Sequence, residues 1–131
     1  MKVILISFVF ILIQSSLIAQ DKGDNTLIIP HHISYSKIKL LLFQRGYVFE
    51  SSDTSFITTK FKELPNSSLA VLFNIAITET EVIIKGFNNQ RSDKSPSQIE
   101  FNYVFHKPTA EWEEIDDFAK LLSPDVRYTK Q

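Results

Sequence analysis

The sequence predicts an α+β domain: an antiparallel sheet of five to six strands with two helices packed on one face, in the order β-α-β-β-β-β-β-α. Three observations carry that expectation. Short runs of β-branched and aromatic residues recur between turn-forming clusters, several with period-two alternation. Most of these runs follow one another with only a short turn between them, which makes neighbours antiparallel. Two other stretches place apolar residues at helical spacing and carry capping residues at their ends. One apolar stripe per helix is most simply buried against one face of the sheet.

Thr26-Leu27-Ile28-Ile29 is the first short β run, and Pro30 closes it. The next element is a helix. Ser34 stands at the N-cap, where its hydroxyl can accept from a first-turn N–H. Ile33 and Ile38 then occupy the two positions of a hydrophobic staple. Ile38, Leu41, Leu42 and Arg45 share a face, and Gly46 is the positive-φ residue that ends the helix. Tyr47 to Glu50 reads as a strand, Ser51 to Thr54 as a turn, and Ser55 to Phe61 as the hairpin partner.

After a loop at Glu63 to Ser68, the stretch Leu69 to Ile77 puts Leu69, Val71, Phe73, Ile75 and Ile77 on one face. Thr78 to Glu81 turns the chain into a strand over Val82 to Phe87. Asn88 to Pro96 holds no apolar residue and reads as an exposed connection. Gln98 to His106 alternates, with Ile99, Phe101, Tyr103 and Phe105 facing one way, as in a half-buried antiparallel strand. Pro108 stops it and Thr109 caps the second helix. Trp112, Ile115, Phe118, Ala119 and Leu122 form that helix's stripe, with Glu111 and Glu113 in its first turn, where negative charge suits the dipole.

The segment before the domain differs in composition. Lys2 is followed by an apolar run from Val3 to Ile13, then by Gln14-Ser15-Ser16 and by Ala19 just before Gln20 and Asp21. That is the order of a secretory signal peptide. The run falls short of the about 20 residues a membrane span needs, which makes an uncleaved anchor the weaker reading. Cleavage is expected after Ala19 or Gln20. Leu17 is not the small residue a cut after Ala19 would favour, so both positions stay open. The chain has no cysteine to carry a lipid. The expected organisation is a signal over 1–20, a flexible leader over 21–25, one domain over 26–123 and a polar tail over 124–131. The expected address is periplasmic or secreted, with no stable membrane insertion once the signal is gone.

Composition narrows the function classes. The chain has 131 residues and a formal charge of −1, which becomes −2 without Lys2. Neither value gives the basic face that nucleic acid requires. Without cysteine there is no thiol chemistry, and an exported domain must hold together by packing alone. Eleven phenylalanines indicate a packed core rather than a disordered segment.

Few residues suggest chemistry. His31 and His32 are adjacent, and neighbours on a strand point to opposite faces, which makes a poor chelating pair. His106 is remote in sequence. Asp53 sits between two strands, where Asp ordinarily bonds its own turn. Glu111, Glu113, Glu114, Asp116 and Asp117 mostly lie opposite the Trp112–Phe118 stripe and read as a solvated face. With three glycines, the chain has no phosphate loop, nucleophile elbow or H-E-x-x-H motif. Asn66-Ser67-Ser68 matches the glycosylation sequon, which has meaning only in a eukaryotic secretory pathway. The remaining candidate is aromatic: Phe101, Tyr103 and Phe105 with Phe73, Ile75 and Trp112 could line a pocket between sheet and helix. The competing reading is a filled core, because small domains need their aromatics for packing.

The signal ending Ile18-Ala19-Gln20 before a polar leader resembles those of small exported Bacteroidetes α+β domain proteins of uncharacterised function. Ser36-Lys37-Ile38 through Arg45-Gly46-Tyr47, then Asp53 and Thr58-Thr59, resembles the helix-Gly-Tyr-strand-Asp-strand unit of small envelope domains such as those in a β-barrel assembly lipoprotein. The lipid-bearing cysteine of those lipoproteins has no counterpart here. The resemblance implies an envelope or secreted setting and carries over no functional residue.

The expectation is a non-enzymatic interaction module of the cell envelope, its working surface a sheet face or edge strand. One alternative is a carrier of a small apolar ligand, with its cavity between the sheet and the C-terminal helix. The other is a hydrolase using His31 or His106. The expected partner is an unknown protein or a small apolar ligand, and neither cofactor nor metal is expected.

Overall fold

The computed structural model describes residues 20–65, 67–89, 96–104 and 107–131, with Val104 described by its backbone alone. The signal-peptide segment 1–19, the sequon residue Asn66, most of the polar connection before Pro96, and both Phe105 and His106 lie outside the described residues.

Along the chain run β1 (Thr26–Ile29), α1 (Tyr35–Gln44), β2 (Phe49–Asp53), β3 (Phe56–Thr59), β4 (Lys62–Glu63), β5 (Ala70–Ile77), β6 (Val82–Asn88), β7 (Ser97–Gln98), β8 (Tyr103–Val104), β9 (Lys107–Pro108), α2 (Ala110–Leu122) and β10 (Arg127–Thr129). The fold is α+β with both helices on one face of an antiparallel sheet. Among the described residues the sheet has eight strands in the order β10-β1-β6-β5-β3-β2, with β4 added beside β5 and β7 beside β6. It is larger than the five to six strands expected from sequence. The extra strands are two or three residues long, too short for an alternation pattern to announce them.

The central ladder fixes which side chains face the helices. Leu27, Ile84, Ile75 and Ile57 lie abreast across β1, β6, β5 and β3, and none is exposed. One residue further along, Ile28, Ile83, Ala76 and Phe56 form the matching row on the opposite face. A one-residue slip would exchange the two rows, so burial of the first specifies the register.

Helix α1 starts where Ser34 accepts from Lys37 N and ends at Gly46, whose φ is +88°. Gly46 N–H donates to the Phe43 carbonyl and Tyr47 N–H to the Leu42 carbonyl, satisfying acceptors the helix leaves open. Ile38 and Leu42 enter the core. Helix α2 is capped by Thr109, which accepts from Trp112 N, and it buries Trp112, Ile115, Phe118, Ala119 and Leu122. It crosses β6 at Gly86, where an added Cβ would overlap the Ile115 side chain.

Three segments depart from the sequence reading. Residues 21–25, expected as a flexible leader, are tied into the fold. Gly23 N–H donates to the Phe101 carbonyl, Phe101 N–H to the Asp24 carbonyl, and Asp24 is buried. Residues 124–131, expected as a polar tail, contain buried Val126 and the edge strand β10, paired with β1. The single strand expected over Gln98 to His106 is broken up. β7 pairs with β6 for two residues, and the chain then bonds the segment at Gly23 and Asp24 instead. It ends in a separate two-stranded ladder of β8 and β9. Alternation survives as far as buried Ile99 and Phe101, but Tyr103 is 56% exposed. The change of hydrogen-bonding partner ends the regular strand while the side-chain pattern runs on.

Candidate functional site

The sequence-derived aromatic set divides into three. Phe73 and Ile75 point inward from β5 and are completely buried. Phe73 is held between Tyr47, edge-on at 5.0 Å between centroids, and Phe118 at 4.9 Å. These residues fill the space between sheet and helix, so at Phe73 and Ile75 the structure gives a packed core where the sequence reading allowed a pocket. Trp112 is 1% exposed and also belongs to the core, while Phe105 lies outside the described residues. Phe101 and Tyr103 instead form one wall of an open cleft of about 520 Å³.

This cleft borders β10, the end strand of the sheet. Val126 and Tyr128 line it from that strand and the residue before it, Lys120 and Pro124 from the C-terminal end of α2, and Pro108 from β9. Gln20 completes the lining. The Phe101 and Tyr103 rings meet edge to face at 4.8 Å, which fixes the exposed tyrosine against a buried anchor.

Below the cleft, a polar network centres on Asp116, which is 7% exposed. Tyr128 Oη donates to Asp116 Oδ1 at 2.7 Å, and Lys120 Nζ donates to Oδ2 at 2.8 Å. Gln20 Nε2 reaches the same Oδ2 at 3.4 Å, and Gln20 Oε1 accepts from the Trp112 indole N–H at 2.8 Å. A buried carboxylate is tolerated when it is paired and fully bonded. Burial raises the pKa of the Tyr128 hydroxyl, and the bond to Asp116 and its charge raise it further. The hydroxyl therefore stays protonated and donating at neutral pH.

The acidic run of α2 is only partly the solvated face expected from sequence. Glu113 and Asp117 are exposed. Asp116 anchors the cleft network, and Glu114 Oε1 accepts from Arg45 Nε at 2.9 Å and Nη2 at 2.6 Å. That pair ties the end of α1 to α2. Lys62 Nζ donates to the Arg45 carbonyl and lies 5.0 Å over the Tyr47 ring.

Glu111 is half-buried, and burial raises its pKa against the opposing bond to Asn88. The native state therefore holds this proton more tightly than the unfolded chain does. Its contribution to stability is present below the unfolded-state pKa and declines as pH rises through the folded-state value. Glu111→Gln is accordingly expected to raise the melting temperature at neutral pH and to flatten the loss of stability above acidic pH. An unchanged pH profile in thermal melts would contradict this.

His31 and His32 lie past the end of β1 rather than on a strand, and they face different partners. His32 Nδ1 faces the Thr78 carbonyl at 2.8 Å, and His31 Nε2 lies 3.0 Å from Ser123 Oγ. A serine–histidine contact invites a hydrolase reading, but its setting opposes one. Ser123 caps the C-terminal end of α2 and accepts from Asp125 N–H. Unpaired carbonyls and the negative end of the dipole gather at a helix C-terminus, the reverse of what an oxyanion needs. His106 lies outside the described residues. Asp53 behaves as expected: its Oδ1 accepts from Ser55 N at 2.8 Å and Oγ at 2.9 Å, closing its own turn. Among the described residues, no three histidines or carboxylates converge as a metal set. No helix among them is long and apolar enough to cross a membrane.

Sequence reasoning passed over Gln20, Asp116, Lys120 and Tyr128. The i,i+4 spacing of Asp116 and Lys120 was visible and marks a pair on one helix face. Tyr128 was visible too, as the one aromatic in a tail otherwise read as polar. The chain matches no family model, no curated protein and no solved structure.

Proposed function

We propose that this chain is an exported, non-enzymatic binding module of the cell envelope or its surroundings. Its cleft captures an extended polypeptide segment by strand addition to β10. The observation that supports this reading is the coincidence of two features. Among the described residues β10 has β1 on one side and no strand on the other, and Tyr128 of that edge strand lines the 520 Å³ cleft. Strand addition draws affinity from main-chain hydrogen bonds and specificity from pockets that take alternate side chains. Tyr103 and Tyr128 supply rigid amphipathic contact area of the kind that dominates binding energies. Lys120 and Gln20 supply polar groups that can orient the guest.

Selection of displayed peptides on the processed chain tests the proposal. Selected peptides should bind the parent protein and lose about tenfold or more in affinity to Tyr103→Ala, a change of about 1.4 kcal/mol. Tyr103 is exposed, so this variant retains the core. Leu40→Lys on α1 should leave binding unchanged. Failure to enrich any peptide, or affinity indifferent to Tyr103→Ala, would overturn the reading.

The cleft volume also supports a second reading, capture of a small apolar ligand, because it falls within the range of small-molecule sites, about 300–1,000 Å³. Uptake of a long-chain fatty acid sensitive to Tyr103→Ala, without peptide enrichment, would favour that reading.

A further inference from the structure

Helix α1 buries Ile38 and Leu42, yet it carries a second apolar face turned away from the core. Leu40 is 55% exposed and Phe43 69%, and with Ser36 they recur at the three- and four-residue spacing that places side chains together on a helix. Exposed apolar residues scattered singly need no explanation, but a contiguous set does. Here Ser36, Leu40 and Phe43 join Tyr35, Lys39 and Phe49 of edge strand β2 to line a groove of about 320 Å³.

Lys39 is the charged residue of that lining. Its Nζ donates to Tyr35 Oη at 3.1 Å and lies 5.4 Å from the Tyr35 ring centroid and 5.0 Å from that of Phe49. The Tyr35 hydroxyl donates in turn to Ser52 Oγ at 3.0 Å, which leaves its oxygen facing the ammonium as an acceptor. Among the described residues the ion pairs are Arg45–Glu114 and Lys120–Asp116, so no carboxylate neutralises Lys39. Asp53, on the same strand as Phe49, spends Oδ1 on closing its own turn, and Glu50 is exposed. An ammonium has three donors, and Lys39 uses one of them. A half-buried cation without a counterion, set beside apolar walls, is complementary to a molecule that is anionic at one end and apolar over the rest.

We propose that this groove is a second binding site, separate from the cleft at β10, that takes a small amphiphilic carboxylate. The carboxylate accepts from Lys39 Nζ, and the Ser36 hydroxyl offers a further donor beside it. The alkyl part covers Leu40, Phe43 and Phe49, which supply most of the affinity, while the charge fixes orientation and selects the ligand class. At roughly 30 Å³ per non-hydrogen atom, the share of one water in the liquid, the groove holds about ten such atoms. Octanoate has that size. An alcohol of the same length covers the same walls but leaves Lys39 unneutralised.

The test is titration of the processed chain with octanoate and, separately, with octanol at neutral pH, followed by backbone amide NMR shifts. Octanoate should give saturable shifts confined to the stretch from Tyr35 to Phe43 and to Phe49. It should bind about three- to fivefold more tightly than octanol, the upper part of what one partly exposed ion pair supplies. Lys39→Met keeps the unbranched stem over the two rings and should abolish that preference without weakening octanol. Phe43→Ala changes an exposed residue, retains the core, and should weaken both ligands at least about threefold. Absence of saturable shifts, equal affinity for the two ligands, or a preference that survives Lys39→Met would overturn the proposal. Shifts at Tyr103 and Tyr128 instead would overturn it in favour of the β10 cleft. Concentration-dependent dimerisation abolished by Phe43→Ala, with no effect of octanoate, would overturn it in favour of a second copy of the chain on this face.

Discussion

Phe73→Ala is expected to lower the unfolding free energy by about 3–5 kcal/mol, the range for truncating a fully packed aromatic. Phe73 sits on β5, which pairs with β6, β3 and β4, and its ring is gripped by Tyr47 from the α1 end and by Phe118 from α2. Its loss opens a cavity where both helices meet the sheet, and rings fixed by separate elements can collapse into it only in part. Against a total stability of roughly 5–15 kcal/mol, such a loss brings a small cysteine-free domain close to unfolding. Urea titration of parent and variant measures it. A difference below about 1 kcal/mol would mean that the ring faces space able to close, contrary to a filled core.

Gly86→Ala should cost about 1–3 kcal/mol through overpacking. The new methyl would meet Ile115 Cδ1 and Cγ1 first and Ile99 Cδ1 at 3.3 Å. All three atoms belong to buried side chains, so either α2 moves off the sheet or Ile115 leaves its preferred rotamer. Ile115→Val removes Cδ1 and should recover part of the loss. In a double-mutant cycle the two changes should therefore cost less together than their sum, because they share one contact. Additive effects would place the strain elsewhere.

The elements most legible in the sequence are those whose pattern and end signals agree. Ser34 and Gly46 bracket α1, Thr109 and the Trp112 stripe define α2, and the alternation of β5 reappears as the buried series Val71, Phe73, Ile75 and Ile77. Legibility failed where partners rather than patterns decide. The residues from Ile99 to Tyr103 keep an alternating composition, but the backbone of Phe101 bonds Asp24 and ends the strand. Likewise, β10 is three residues long, and its existence depends on β1 being available to pair with it.

The cleft was hidden for the same reason. It assembles from Gln20, the Phe101–Tyr103 segment, the end of α2 and β10. Gln20 was read as the end of the signal, and β10 as part of the polar tail. Asp116 looked like one carboxylate among five, and only the approach of Tyr128 and Gln20 separates it from Asp117, one residue on and exposed.

The central claim is that the free edge of β10 is where this protein binds an extended chain. Amide hydrogen exchange, recorded with and without a selected peptide, tests it most directly. The account predicts slower exchange at Arg127, Tyr128 or Thr129 on binding, since new main-chain bonds protect the edge. Unchanged exchange across β10, with protection appearing instead at Leu40 and Phe43 on α1, would contradict it.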